Sequence, residues 1–100
     1  MSDLSYQIDA PIWLYTGKTA WHFITIPEDI SGHIKAFCEQ KTPGFGSVRV
    51  KATIGTTSWN TSLFPDSKTK CYGLPIKAGI RKKNKLFAGD AVTLRLDIDI

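Results

Sequence analysis

Five cations crowd into nine positions near the end of the chain: Lys77, Arg81, Lys82, Lys83 and Lys85, within LPIKAGIRKKNKLFAGD. Ammonium and guanidinium groups at that density can neutralise phosphates, and a nucleic acid held by them is released steeply as salt rises. The same run is also what the solvated side of a short helix looks like. At helical spacing Lys77 and Arg81 share a face, while Lys82 and Lys83 point elsewhere. Solvated surface is the first reading, and a set of nucleic-acid contacts (Lys77, Arg81, Lys82, Lys83, Lys85) is the alternative. A third reading lies between them: a smaller anion held by Lys77 and Arg81 near Trp59, with Arg81 supplying paired donors.

The second candidate segment is WNTSLFPD, residues 59–66. In an extended strand Trp59, Thr61 and Leu63 lie on one face and Asn60, Ser62 and Phe64 on the other. Hydroxyls beside aromatics can line a small-ligand pocket, so Trp59, Thr61 and Ser62 join Lys77 and Arg81 as the candidate ligand or anion site. Cross-strand pairing of Thr and Ser on a sheet surface is the simpler account.

Catalytic chemistry finds little to build on. Cys38 falls on the apolar stripe of a helix, and His33, five positions earlier, is about 140° round that helix. His33 is therefore a poor base for the thiol. Cys71 has Lys70 beside it but no histidine near in sequence. His22 shares a strand face with Ile24 and Ile26 and reads as a partly buried structural histidine. Positions 22, 33, 38 and 71 do not have zinc spacing. Asp97 and Asp99 form an i, i+2 pair beside Arg95 on a solvated face. GFG and AGD are turns rather than phosphate-cradling loops. NTS, residues 60–62, has meaning as a glycosylation site only in a secreted chain. No catalytic residue, metal site or cofactor is expected.

These candidates must be positioned mainly by strands. Leu4, Tyr6 and Ile8 alternate with polar residues, and Pro11 marks an edge or a bulge before the strand resumes through Ile12 and Leu14. TGK, residues 16–18, is a hairpin turn, and AWHFITI, residues 20–26, is the returning strand. Pro27 opens a helix of about residues 28–40, with Glu28 and Asp29 at its positive end and Ile30, Ile34, Phe37 and Cys38 as its apolar stripe. KTPGFG, residues 41–46, ends it. SVRVKATI, residues 47–54, alternates cleanly, and after Gly55 a further strand runs to Pro65. PDSKTK is a polar loop and CYGLPI a short strand. A second short helix covers about residues 77–84, with Gly79 as a poor helix former within it. AVTLRLDIDI closes the chain with Val92, Leu94, Leu96, Ile98 and Ile100 inward.

The pattern strand, Pro, helix, Gly-bearing turn, alternating strand occurs twice, with Pro27 and Pro75 lying 48 positions apart. It suggests an internal pseudo-twofold repeat. Short strands with frequent turns point to a mainly β fold, a small closed or double-split β-barrel in which closure removes the sheet edges.

One hundred residues make a single domain, 1–100. A 42% apolar share with 22% charged residues excludes disorder, and the net charge of +4 permits an anionic partner without demanding one. MSDLSYQIDA lacks the plan of a secretory leader, and PIWLY is far too short to span a membrane. Two cysteines in a cytosolic chain are expected to stay reduced. The protein is expected to be soluble and cytoplasmic.

Taken together, GFGSVRV, WNTSLFPD, YGLPIKAGIRK and GDAVTLRL, with WHFITIP upstream, resemble the bacterial and archaeal family known as domain of unknown function 1905. The resemblance spans nearly the whole chain. It implies a small β-barrel of the double-split type, with no established activity, cofactor or catalytic residue to carry over. LPIKAGIRKKNKLFAGDAV is also similar to a pattern in AbrB-like transition regulators, which bind DNA as swapped dimers. That likeness is an analogy of fold. Three functions stay open. A non-enzymatic barrel binding a small ligand or protein predicts a polar, aromatic-lined cleft. A nucleic-acid binder predicts one continuous positive surface. A catalytic or accessory module predicts a pocket with a strongly perturbed ionisable group.

Overall fold

The structure is a computed structural model that describes residues 4–17, 20–39, 46–66 and 68–98. Its elements in chain order are β1 (Ser5–Thr16), β2 (Ala20–Thr25), α1 (Glu28–Glu39), β3 (Val48–Ile54), β4 (Thr57–Asp66), β5 (Cys71–Pro75), α2 (Ala78–Asn84) and β6 (Ala91–Ile98). The two helices begin and end within a residue of the expected bounds. The tip of the TGK turn, most of KTPGFG, Ser67 and the last two positions of the closing strand lie outside the described residues.

The six strands close into a barrel in the order β1-β2-β5-β4-β3-β6, and β6 returns to β1. All pairings are antiparallel. Two strands are shared between neighbours at different heights. The first part of β1, Ser5 to Pro11, pairs with β6, and the second, Ile12 to Thr16, pairs with β2. In the same way β4 pairs with β3 up to Leu63 and with β5 from Phe64 to Asp66. Pro11 sits at the first hand-over, where a missing N–H costs the ladder least. Ile12 then resumes donation, its N–H bonding to Asp90 O at 2.9 Å.

Alternation fills the barrel. Ile8, Ile12, Ile24, Val50, Leu63, Leu74, Leu94 and Leu96 point inward and are almost wholly buried, with Ile34 of α1 added from outside the sheet. Tyr72 is the largest of the fully buried side chains. Ser31, buried in the first turn of α1, donates its hydroxyl to Ile26 O at 2.9 Å and accepts Tyr72 N–H at 3.0 Å. One polar side chain thus ties a helix to two strands.

The strand order maps onto itself when β1, β2 and β3 are exchanged with β4, β5 and β6. Hydrogen bonds fix the correspondence. Ile26 N–H reaches Tyr72 O at 2.8 Å, and Ile76 N–H reaches His22 O at 2.8 Å. Ser31 Oγ bonds to Ile26 O five residues back, and Arg81 Nε bonds to Ile76 O five residues back. Ile26 therefore matches Ile76, and Pro27 matches Lys77. Pro27 and Pro75, the pair that suggested the repeat, are two positions out of step. Prolines report a local backbone need, and here each half meets that need at a different place.

Candidate functional site

Strands β1 and β2 carry bulky apolar side chains on both faces. Ile12 and Ile24 turn into the core, so Trp13, Tyr15, Trp21 and Phe23 turn out. A barrel with a single interior has no second core to receive them. They stand on its outer surface, with Trp13 40%, Tyr15 49% and Trp21 50% exposed, and Phe64 of β4 is 50% exposed on the far side.

These residues surround an open cleft of about 420 Å³. Trp13, Tyr15, Trp21 and Phe23 form one wall, Phe64, Pro65 and Asp66 the other, and Gly73 and Pro75 of β5 make the floor. The aromatic wall is a packed array. Phe23 lies 5.4 Å from Trp13 and 6.3 Å from Trp21 between ring centroids, and Tyr15 meets Trp13 and Phe23 edge-on at 6.5 and 6.4 Å. Such spacings are favourable for aromatic pairs and hold the faces in place. Trp13 is fixed further, because its indole N–H donates to Thr25 Oγ1 at 2.8 Å.

The pseudo-twofold explains why there is a cleft. It relates Trp13↔Phe23 of one half to Phe64↔Gly73 of the other, and Tyr15↔Trp21 to Asp66↔Cys71. β2 presents two aromatic rings where β5 presents a thiol and a hydrogen atom. A Cβ on Gly73 would stand 3.6 Å from Phe23 Cδ1, in ordinary contact and inside the cleft. The space exists because one half has large side chains where the other has small ones.

The candidate residues named from sequence are distributed around this feature. Ser62 is on the outward face of β4, two positions before Phe64, while Trp59 and Thr61 face the other way. Trp59 packs against the core with its indole N–H buried and without a hydrogen-bond partner among the described residues. Lys77 is exposed at the N-cap of α2 with extended backbone, φ −67° and ψ 153°, so it continues the outward row of Gly73 and Pro75. Arg81 is half-buried, its Nε on Ile76 O at 3.3 Å. Lys82, Lys83 and Lys85 are exposed, and Lys85 closes α2 in the left-handed conformation at φ 54°.

Sequence reading passes over Trp13, Tyr15, Trp21 and Phe23, whose aromatic and β-forming character reads as strand propensity. Phe64 lies in the WNTSLFPD segment considered for a pocket but is not among its candidate residues. The usable signal was apolar side chains on both faces of a β1–β2 hairpin in a chain with room for one core. The cleft is also apolar, where the binding reading expected polar groups among the aromatics.

Two other groups bear on chemistry. Tyr6 Oη and His33 Nδ1 share a 2.5 Å hydrogen bond, and their rings meet edge-on. Burial raises the Tyr6 hydroxyl above its ordinary range, and Cys38 adds to this. The second half also has a strand-to-helix contact, Thr57 Oγ1 to Asn84 Oδ1 at 3.3 Å, one helix position out of step with His33, and each contact spans 27 residues. A strand-to-helix tether repeated in both halves is a structural device. His22 is lowered by burial and, in addition, by the charge of Arg81. Cys38 is half-buried and Cys71 buried, and the two are not joined. No group of three or more metal-ligating side chains converges among the described residues. No helix among them is long and apolar enough to cross a membrane.

No curated protein matches the chain. A family model does, over residues 9–96, which takes in every strand and both helices in whole or large part. On that match the protein belongs to the family described as Domain of unknown function (DUF1905).

Proposed function

We propose that this barrel is a non-enzymatic binding module whose ligand lies in the aromatic cleft between β1–β2 and β4. The observation that carries the reading is the exposure of Trp13, Tyr15, Trp21 and Phe64 around a floor of Gly73 and Pro75. Large aromatic faces left in water are costly unless something covers them, and a contiguous patch marks an interaction site. Stacking on such faces tolerates varied ligands, while the few polar groups at the rim orient them. Lys77 and Ser62, at the margin of the same outward face, enter the proposed site as its polar contacts, with Lys77 for an anionic group. Trp59, Thr61 and Arg81 fall outside it. The hand-over of β1 and β4 between partners supports placing the barrel in the double-split type, and a cytoplasmic setting suits its two thiols.

Three tryptophans make the test direct. In a ¹⁵N-labelled protein each gives one indole signal, and a set of planar aromatic and cyclic aliphatic compounds is titrated against them. Trp13 and Trp21 are expected to shift together, leaving Trp59 unmoved, and Gly73→Val is expected to abolish the response by filling the floor. Movement of Trp59 with the backbone signals of residues 77–85 would instead favour the anion site built on Trp59, Lys77 and Arg81. A set that moves no indole at millimolar concentration would remove the cleft as a ligand site.

A further inference from the structure

We propose that the occupant of the cleft is an extended, proline-containing peptide segment of about six residues, basic at one end and acidic at the other. This rests on the reading of the cleft as a binding site and goes on to name the ligand class.

Closure narrows the choice of binding mode. The sheet is closed, and the edges that the hand-overs of β1 and β4 leave beside the cleft, Trp13–Thr16 and Phe64–Asp66, are only four and three residues long, so a six-residue peptide gains little by adding as a further strand. An extended partner must be recognised through side-chain surfaces. A polyproline helix suits that demand, because it is preformed, needs no strand partner and packs its rings against aromatic faces. The cleft is open along its length, so a drug-sized molecule would leave much of its surface in water, whereas bound small ligands are mostly covered.

Length and charge agree with this occupant. The outward row of β5 runs from Cys71 through Gly73 and Pro75 to Lys77, a path of about 20 Å at the usual strand rise. A polyproline segment of about six residues covers the same distance at about 3.1 Å per residue. Asp66 pairs with Cys71 at one end of the row, and Lys77 stands at the other. Opposite charges at the two ends fix the direction of a peptide carrying opposite charges of its own. Donors are available as well. Trp21 and Tyr15 are half-exposed and neither is hydrogen-bonded through its side chain among the described residues, so Nε1 and Oη can meet the carbonyls that a polyproline helix leaves unpaired. Trp13, whose N–H is engaged by Thr25, supplies a fixed face.

The test uses a fluorescein-labelled peptide of four prolines between an arginine and a glutamate, followed by anisotropy. Controls are the same peptide with alanine for proline and the peptide with its two charges exchanged. Binding by the first, at least tenfold weaker binding by both controls, and a tenfold loss in Trp21→Ala are expected. Asp66→Lys combined with Lys77→Glu should reverse the preference between the charge-exchanged pair. Far-ultraviolet dichroism confirms that the variants fold. Equal binding of the alanine peptide overturns the polyproline occupant. Absence of any peptide binding while small compounds still move the Trp13 and Trp21 indoles overturns this inference and leaves the cleft reading intact. A concentration-dependent dimer in sedimentation, lost in Trp21→Ala, overturns it in favour of a second copy of the chain. Competition by single-stranded nucleic acid that displaces the peptide from Trp13 and Trp21 would overturn it likewise.

Discussion

The hydroxyl of Ser31 works in two directions, donating to Ile26 O and accepting from Tyr72 N–H in the buried interior. Ser31→Ala would keep the helix but take from Tyr72 N–H an acceptor in a place water does not reach. An unsatisfied buried donor costs about 1–3 kcal/mol. Urea denaturation should show a loss in that range with an unchanged m-value, and a loss below about 0.5 kcal/mol would mean the bond contributes little. Nothing in the sequence singles out this serine, because a serine inside a helix is most often solvent-facing or bonded to its own backbone. Its role comes from Tyr72, which is 41 residues away. Arg81 shows the reverse case. Its type and spacing drew attention as a surface cation, but its matching position to Ser31 turns it toward its own backbone and leaves it half-buried.

At the scale of elements the alternating strands were the most legible part of the chain. Val48, Val50, Ala52 and Ile54, and later Val92, Leu94, Leu96 and Ile98, were read inward and are buried. Polar residues between them left no ambiguity about which face met the core. The β1–β2 hairpin has no such marking beyond Ile12, since both faces are apolar there, and the face proposed for binding could not be told from the face that packs. The turn joining β3 to β4 was also legible. Gly55 has φ +61° and Thr56 a negative φ, the sign pattern of a type II′ hairpin, where glycine is the residue of choice at the first position. An L-residue there costs roughly 1–2 kcal/mol, so Gly55→Ala should lower the thermal midpoint by several degrees in a domain of this size. Asn84 Oδ1 would be 4.0 Å from the new methyl, so strain rather than collision is the cause under test. A midpoint unchanged within about 1 °C would show that the turn relaxes without resistance.

The whole molecule distributes charge unevenly between halves that are alike in topology. α1 opens with Glu28 and Asp29, while α2 carries exposed Lys82 and Lys83 in its last turn and is flanked by exposed Lys77 and Lys85. A barrel positive at one end does not present the doubled surface with which a symmetric reader grips DNA. A labelled random duplex is therefore expected to bind only at low salt. With four phosphate contacts its affinity should fall roughly a hundredfold between about 50 and 200 mM. Lys82→Glu with Lys83→Glu should remove what binding there is. Binding that survives physiological salt would restore the basic run as a nucleic-acid interface, and no binding at low salt would leave it as solvated surface.

Closure of the barrel depends on its first and last strands. Ser5 Oγ donates to Asp97 Oδ1 at 2.8 Å and Ile98 N–H reaches Leu4 O at 2.9 Å, so residues more than ninety positions apart form the seam. Contacts that distant cost the most chain entropy to bring together and slow the search for the native pairing. Joining the ends by a short linker and reopening the chain at Gly55–Thr56 would turn the seam into a local hairpin and leave the register of the other strands intact. The permuted chain would begin with β4 and end with β3, so the long-range seam would pass to that pair, which the pseudo-twofold makes the counterpart of β1 and β6. The slow pairing is moved, not removed, because a closed sheet always has one pair of strands brought together from opposite ends of the chain.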